Sequence, residues 1–317
     1  MSLWRVPVSG GTPQPVTGAG ALAFGPSVSP KGNQLTYERL FFKDNIWRLN
    51  LRDETHREGE PTSIVSEKGL LWRPQVSPDG KRIAFETNRS GYNELWACDN
   101  DGANCGQLTT LRGTAGAPRW SPDGKTIAFE FRPKGHSEVY LLDLISGTPR
   151  LLVTLQGADN GGPNWSRDGK SIYFYSDRGG GRFQVWKIQV EGGTPIQVTK
   201  NGGVFAAESM DGRFLYYSKY EAAGIWKMPL RGGEETRVLE KPPDGDWANW
   251  ALARNGIYFF DWVSDSDQGL RFFEFITGKT TRVWTTKNRS GVGLSVSADG
   301  KPFSTIKMKQ RSRQLCW

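Results

Sequence analysis

Histidine and cysteine are both scarce in this chain. There are two histidines, His56 and His136, and three cysteines among 317 residues. So few histidines exclude most histidine-rich metal sites and leave few candidates for a Ser-His-Asp triad. Three cysteines are too few for a disulfide scaffold, and Cys98 and Cys105, on either side of DNDGAN, are either bonded across a hairpin or two small buried thiols. We expect no bound metal and no cofactor.

Long hydrophobic runs and helical periodicity are missing as well. Nothing approaches 18 consecutive apolar residues, so we expect no membrane insertion. No signal peptide is visible at the first residues, and no apolar pattern of helical spacing lasts for three turns. With 39 glycines and 18 prolines, turns must be frequent. These features predict an all-β chain, which we interpret as a single domain over residues 1–317 from a longer protein.

A Ser-x-Asp-Gly element followed by a short apolar strand recurs along the sequence. Examples are residues 77–80 before KRIAFE and residues 121–124 before KTIAFE. The glycines of the copies fall at positions 32, 80, 124, 169, 212, 256 and 300. Asp-Gly between two apolar runs predicts a tight hairpin turn, because glycine accepts a positive φ and Asp tolerates it. A residue needed once in every repeat builds that repeat, so we interpret these elements as structural.

Each repeat of about 44 residues has room for four strands, which is typical of a β-propeller blade. The turn joins the first two strands, a polar Gly-rich loop leads to a third strand marked by an aromatic residue, and a fourth strand follows. Blades packed face to face explain strands that are apolar on both faces. Seven copies predict seven blades of four antiparallel strands, with six as the alternative. We expect an N-terminal strand to complete the last blade and close the ring, since closure protects open edges.

The repeat resembles that of TolB-like β-propellers, a WD40-like family. The resemblance is carried over most of the chain by sequences such as SPDGKRIAFETNRSGYNELWACDNDGANCGQLTT at residues 77–110. The chain is also similar to the propeller part of bacterial winged-helix regulators, although it contains no winged helix. The resemblance implies a bacterial, periplasmic or otherwise extracytoplasmic scaffold, without catalytic activity, that binds a protein or peptide partner over the channel mouth as a sensory or interaction domain.

Candidate partner-binding residues come from the loops that depart from the repeat. Loops joining fourth to first strands and second to third strands share one face of a propeller, and functional residues concentrate on such loops. Arginine and tryptophan are typical of protein-binding hot spots; the alternative is that these are solvated loop residues. The candidates are Arg73, Arg89, Arg119, Arg132, Asn164, Arg178, Arg182, Trp247, Asn249 and Trp262.

Two other functions receive less support from the sequence. A hydrolase or lyase acting on a carbohydrate or peptide in the channel remains the alternative, because strands of different blades can bring carboxylates together. The net charge of +8 favours acidic partners. Lys and Arg are spread over the whole chain, however, so we expect no specific nucleic-acid binding. We also expect a monomer.

Overall fold

The computed structural model describes residues 3–16, 23–31, 34–50, 61–68, 70–243, 247–264, 267–286, 290–296 and 303–316. These residues form an all-β propeller. Within them there is no helix with the length and apolar character needed to span a membrane.

Five four-stranded antiparallel blades make up the central part of the chain. In each blade the strands pair in sequence order, so the first strand is the innermost and the fourth the outermost. Blade I contains β6 (Leu71–Val76), β7 (Arg82–Thr87), β8 (Glu94–Asp99) and β9 (Gly106–Gln107). Blade II contains β10 (Thr114–Trp120), β11 (Thr126–Lys134), β12 (His136–Asp143) and β13 (Pro149–Val153). Blade III contains β14 (Asn160–Trp165), β15 (Ser171–Ser176), β16 (Gln184–Gln189) and β17 (Gly192–Gln197). Blade IV contains β18 (Val204–Glu208), β19 (Phe214–Lys219), β20 (Ala222–Pro229) and β21 (Thr236–Leu239). Blade V contains β22 (Trp250–Ala253), β23 (Gly256–Ser264), β24 (Asp267–Glu274) and β25 (Thr280–Thr286).

The two ends of the chain share one further sheet, the closing sheet. Its strands are β3 (Ala23–Val28), β4 (Leu35–Asn50), β5 (Pro61–Lys68), β26 (Ser290–Val296) and β27 (Phe303–Cys316). The long β4 pairs with β27 from Tyr37↔Cys316 to Asn50↔Phe303. The short strands β1 (Trp4–Arg5) and β2 (Gln14–Pro15) pair with each other in a separate, exposed sheet.

The predicted count of seven blades, or of six, is therefore wrong: the structure has five four-stranded blades. The first and last repeats do not build blades of their own, because β4 and β27 run side by side and merge both repeats into the closing sheet. The two ends do meet in one sheet, because the N-terminal strand β4 pairs with β27, whereas Trp4–Arg5 pairs with Gln14–Pro15 outside it. Seven copies of a turn sequence do not require seven complete blades.

The Ser-x-Asp-Gly elements form the same hydrogen-bonded turn in blades I to IV. In the first copy, the Ser77 hydroxyl donates to Asp79 Oδ1 at 2.6 Å and accepts the Arg82 N–H at 2.9 Å. Gly80 takes a φ of +71°, which disfavours a residue with a Cβ. The copies at residues 121–124, 166–169 and 209–212 repeat the Ser-to-Asp bond at 2.6 Å. This repetition confirms the structural interpretation of the element.

Neighbouring blades pack through apolar side chains on both faces of their strands. Ala84, Leu95 and Ala97 of blade I form one buried cluster with Ile127 and Phe129 of blade II. Tryptophans at the ends of the inner strands add hydrogen bonds between blades: Trp120 Nε1 donates to Gln75 O at 3.0 Å, and Trp165 Nε1 donates to Arg119 O at 2.9 Å. The cysteine question is also answered, since Cys98 and Cys105 form a disulfide bond.

Candidate functional site

The channel is lined by the inner strands, and each of these carries an irregularity at the same place. Seven residues before the turn glycine, the backbone takes a positive φ at Gly25, Arg73, Ala117, Gly162, Phe205 and Gly293. Each of these strands also shows a shift of register near that position. Such a bulge turns backbone N–H groups away from the sheet, so they need acceptors elsewhere.

Side chains of the preceding blade supply several of these acceptors. Glu86 Oε2 accepts the Ala117 N–H at 3.2 Å, and Glu130 Oε2 accepts the Gly162 N–H at 3.0 Å. The predicted site residue Asn249 has the same role in blade V, because its Oδ1 accepts the Gly293 N–H at 2.8 Å and its side chain is buried. These three contacts join neighbouring sheets around the channel.

Arg73 lies at the bulge of blade I between two of these carboxylates. Its Nη1 is 2.6 Å from Glu130 Oε1 and 3.8 Å from Glu86 Oε2. Burial alone would lower the pKa of Arg73, but the two glutamates raise it above its usual value. Burial would likewise raise the pKa of Glu130, yet Arg73 and the Gly162 N–H hold it below its usual value. The group is therefore an ion cluster in which one arginine is paired with two carboxylates.

Arg119 of blade II has a different environment. Its Nη1 donates to the Gln75 side-chain carbonyl oxygen, and no carboxylate among the described residues lies within 4.0 Å of its guanidinium. Burial and then the charge of Arg73 lower the pKa of Arg119 to about 10, while Glu130 acts in the opposite direction. At neutral pH this arginine is a cation that no carboxylate of the described residues pairs with.

A cavity of about 220 Å³ lies in the channel in front of Arg119. Each inner strand of blades I to V, and β26 of the closing sheet, contributes the residue five positions before the turn glycine. Those residues are Gln75, Arg119, Asn164, Ala207, Ala251 and Ser295. Apolar groups such as Pro163 and Leu294 complete the walls. Met210, in the turn between β18 and β19, belongs to the lining, so the cavity extends to the turn end of the channel.

Five aromatic residues at the opposite end of the inner strands form the aromatic cluster: Tyr175, Phe183, Phe205, Tyr220 and Trp247. The rings of Tyr220 and Trp247 stack at 4.9 Å between centroids, and the Phe183 ring lies 5.4 Å from that of Tyr220. Tyr220 is 48% exposed. The indole N–H of Trp247 has no hydrogen-bond partner within the described part of the chain.

The predicted site residue Arg182 lies beside this cluster. Its Nε is 3.0 Å from Glu221 Oε2, and both side chains are more than half exposed. Together with Tyr220 it lines a shallow depression. Phe183 and Arg182 precede β16, Tyr220 precedes β20, and Trp247 precedes β22. These are second-to-third and fourth-to-first connections, so the structure does bring Trp247 and Arg182 to one face.

Two other candidate arginines, Arg89 and Arg178, contact the third-strand tryptophan of their own blade. Arg89 lies 4.1 Å from the Trp96 ring and pairs with Glu67. Arg178 lies 4.9 Å from the Trp186 ring and donates to Asn160 Oδ1 at 2.7 Å. Lys219 repeats this arrangement 3.8 Å from Trp226. Burial lowers the pKa of Arg89 and of Arg178. A cation over the third-strand tryptophan is therefore a repeated stabilising contact.

The remaining candidates are dispersed. Arg132 is 3.5 Å from Asp159 and half exposed. Asn164 donates to Ala206 O at 2.9 Å and lies with Arg119 on the cavity wall, whose lining does not include Trp247. The backbone of Trp262 belongs to β23, but its side chain lies outside the described residues. The structure thus divides the predicted set between the aromatic cluster, the channel cavity and the individual blades. Partner binding by these residues stays a prediction.

Sequence reasoning missed the two glutamates that hold Arg73. Glu86 and Glu130 occupy the same position, six residues after the turn glycine, where later repeats have Tyr175 and Ser218. A glutamate directly after the apolar run Ile-Ala-Phe of the second strand, in both repeats, was the available signal. Across the described ranges, no group of three or more His, Cys, Asp and Glu has the arrangement of a metal site.

Comparison with known proteins supports the fold assignment. The model of the TolB beta propeller domain matches residues 47–259. A putative TolB of Agrobacterium tumefaciens has a similar structure, with a TM-score of 0.64, 21% identity, and coverage of 86% of this chain and 99% of that one. TolB of Acinetobacter baumannii has a TM-score of 0.60 and 18% identity, with coverage of 84% of this chain and 64% of that one. At these identities the likeness to both structures is one of fold.

A curated relative from Agrobacterium fabrum is an uncharacterized protein that is 32% identical over 108 residues. The match covers 34% of this chain and 35% of the relative, so the chain spans about a third of the length of the curated relative it matches. These matches give no support to the expected resemblance to winged-helix regulators. Because the family model covers most of the five-bladed region, the chain belongs to the TolB β-propeller family.

Proposed function

We propose that this propeller is a non-catalytic scaffold that binds a protein or peptide partner over the channel mouth, as a sensory or interaction domain. The observation that supports it best is the aromatic cluster, in which exposed Tyr220 stacks on Trp247 beside the exposed Arg182. Tyrosine, tryptophan and arginine are the residues most enriched at hot spots of protein interfaces. Rigid blades hold these side chains in place before a partner arrives, which reduces the entropic cost of binding.

The state of the channel carboxylates favours the absence of catalysis. A general acid at neutral pH needs a raised pKa, whereas the pKa of Glu130 is lowered by Arg73 and the Gly162 N–H against the effect of burial. Glu208 is also engaged, since its oxygens accept the Tyr173 hydroxyl at 2.7 Å and the Arg167 N–H at 2.9 Å. These carboxylates already have structural partners.

Partner capture tests the proposal. The immobilised chain is incubated with a bacterial extract, and the retained proteins are identified by quantitative mass spectrometry. We expect a partner whose capture by Tyr220→Ala and Trp247→Ala falls about 30-fold, since hot-spot residues contribute about 2 kcal/mol or more. Trp4→Ala is the matched control, because Trp4 is 57% exposed and lies in the separate β1–β2 sheet.

Thermal unfolding of each variant separates binding from folding. Tyr220→Ala removes a half-exposed ring and is expected to leave the melting temperature nearly unchanged. If Tyr220→Ala and Trp4→Ala retain every captured protein equally, the aromatic cluster is not the binding surface and the proposal fails.

A further inference from the structure

The cavity in front of Arg119 differs from the aromatic cluster in the chemistry of its lining. Of the six equivalent residues that surround it, Arg119 is the only one with a charge; the others are two amides, a serine and two alanines. The repeat therefore places a single cation in a ring of neutral groups.

Among the described residues, no carboxylate forms an ion pair with this cation. The charge of Glu130 acts on it, but Glu130 is bonded to Arg73 at 2.6 Å. Glu208, the carboxylate in the cavity lining, accepts hydrogen bonds from Tyr173 and from the Arg167 N–H. The guanidinium donates to Gln75, and a guanidinium carries five N–H donors in a planar fork. A partly buried cation without a paired anion is costly, and an anion entering the cavity would reduce that cost.

The chemistry of the cavity walls favours an organic anion over an inorganic one. A guanidinium fork pairs with carboxylate or phosphate through two parallel hydrogen bonds. Pro163, Ala206 and Leu294 give part of the wall an apolar surface. The alkyl part of an organic acid gains by covering such a surface, whereas inorganic phosphate loses hydration there without compensation. About 220 Å³ has room for several atoms of a carboxylate-bearing group.

We propose that the channel cavity is a binding site for an organic carboxylate, held by the Arg119 guanidinium and entered from the turn end of the channel. The carboxylate is that of a small organic acid or the C-terminal carboxylate of a peptide. In either case it forms a charge-assisted pair with Arg119 while its carbon chain lies against the apolar wall. This site goes beyond the proposed function, because it lies inside the channel around Arg119, whereas the exposed Tyr220 and Arg182 line a different depression; Phe205 borders both the cavity and the aromatic cluster.

Isothermal titration calorimetry of the full chain tests the site with defined probes at constant ionic strength. The probes are succinate, the peptide acetyl-Ala-Ala-Ala with a free carboxylate, the same peptide with a C-terminal amide, and inorganic phosphate. We expect saturable binding of succinate, of the free-acid peptide, or of both, and no binding of the amide. Binding of succinate alone identifies a small-acid site, and binding of the free-acid peptide identifies a peptide C-terminus as a ligand.

Variants connect the binding to Arg119. Arg119→Gln is expected to weaken carboxylate binding tenfold or more, and Arg119→Lys to weaken it less, because the charge stays while the planar fork is lost. Arg167→Gln is the matched control, since it removes one positive charge from the exposed loop after β14 and leaves the cavity lining intact. If Arg119→Gln does not fold, the site is still tested by two measurements: weaker carboxylate binding by Arg119→Lys, and the absence of binding of the amide peptide to wild type.

Several results would overturn the carboxylate site. These are equal affinity in wild type, Arg119→Gln and Arg119→Lys, equal binding of the acid and amide peptides, tighter binding of phosphate than of either carboxylate, or no binding of any probe. Tyr220→Ala is expected to bind the carboxylates normally. Failure of partner capture and failure of the carboxylate site are therefore separate outcomes.

Discussion

Arg73 and Arg119 lie on neighbouring inner strands and carry the same charge, but the protein surrounds them in opposite ways. Arg73 lies within 4.0 Å of the carboxylates of Glu86 and Glu130. Arg119 donates to the Gln75 amide oxygen and borders the cavity. Since the first charge is satisfied within the protein and the second is not, the two arginines have different roles: one fixes the blades and the other is available to a ligand.

The position of each arginine in the repeat explains this difference. Arg73 is at the bulge with a φ of +49°, where its side chain meets the glutamates that cap the bulges of blades II and III. Arg119 is two residues beyond the bulge of its own strand, at the repeat position that faces the cavity. An arginine seven residues before the turn glycine thus forms an internal ion pair, whereas an arginine five residues before it faces the cavity.

Replacement of the two arginines by the same residue should give the largest contrast. Arg73→Gln leaves Glu86 and Glu130 close together without their cation, and breaking a buried ion pair costs about 3–5 kcal/mol. Arg119→Gln removes a cation that has no carboxylate partner, so we expect a change in the free energy of unfolding of about 1 kcal/mol or less. Urea denaturation of both variants measures the difference; similar losses would show that the two charges are equally structural.

The repeat made much of the fold predictable from sequence. The spacing of the turn glycines predicts four-stranded units, and Gly80, Gly124, Gly169 and Gly212 do occupy positive-φ turns between first and second strands. The number of blades was not predictable in this way. A turn sequence marks one hairpin, and it does not determine whether the terminal strands β4 and β27 form separate blades or pair with each other.

The candidate site was harder to predict than the blades. Arginine and tryptophan outside the repeat pattern indicate a candidate surface, but they do not show which end of a strand each occupies. Arg119 and Trp247 were placed in one predicted site, although the first lines the cavity and the second stacks on Tyr220. The bulges at Arg73 and Phe205 carry no glycine, so no local sequence signal reveals the turn of the backbone that brings Arg73 to its glutamates.

The pH dependence of the free energy of unfolding should also distinguish the roles of Arg73 and Arg119, with a smaller effect than their replacement. On balance Arg73 and the Gly162 N–H lower the pKa of Glu130, although burial would raise it. A carboxylate with a lowered pKa in the folded state stabilises that state above its unfolded pKa, near 4.3, and the contribution is lost as the pH falls below this value. Urea denaturation from pH 6 to pH 2.5 should therefore show a flatter loss of stability for Glu130→Gln than for wild type, whereas Arg119→Gln should stay closer to the wild-type slope, because Glu130 keeps Arg73 and the Gly162 N–H.

The turn aspartates also contribute to the loss of stability at low pH, in wild type and variants alike. Hydrogen bonds from the serine hydroxyls lower the pKa of Asp79, Asp123 and Asp168, and lower that of Asp211 to about 2. Their stabilising contribution is also lost as the pH falls from about 4 towards 2, but it is the same in wild type and variants. Equal slopes for Glu130→Gln and wild type would mean that Glu130 is not held ionised by Arg73.

The smallest effect is expected at the amide that contacts Arg119. Gln75→Ala removes the acceptor for Arg119 and the donor that reaches Ser295 Oγ at 3.1 Å. Water in the cavity can replace the lost acceptor, so we expect a decrease in the free energy of unfolding of about 1 kcal/mol, close to the net value of an ordinary hydrogen bond. In the double variant Gln75→Ala/Arg119→Gln the two changes should be less than additive, because the shared bond is lost only once. A loss as large as that of Arg73→Gln would instead show that Arg119 depends on an internal partner, and the distinction between the two arginines would no longer hold.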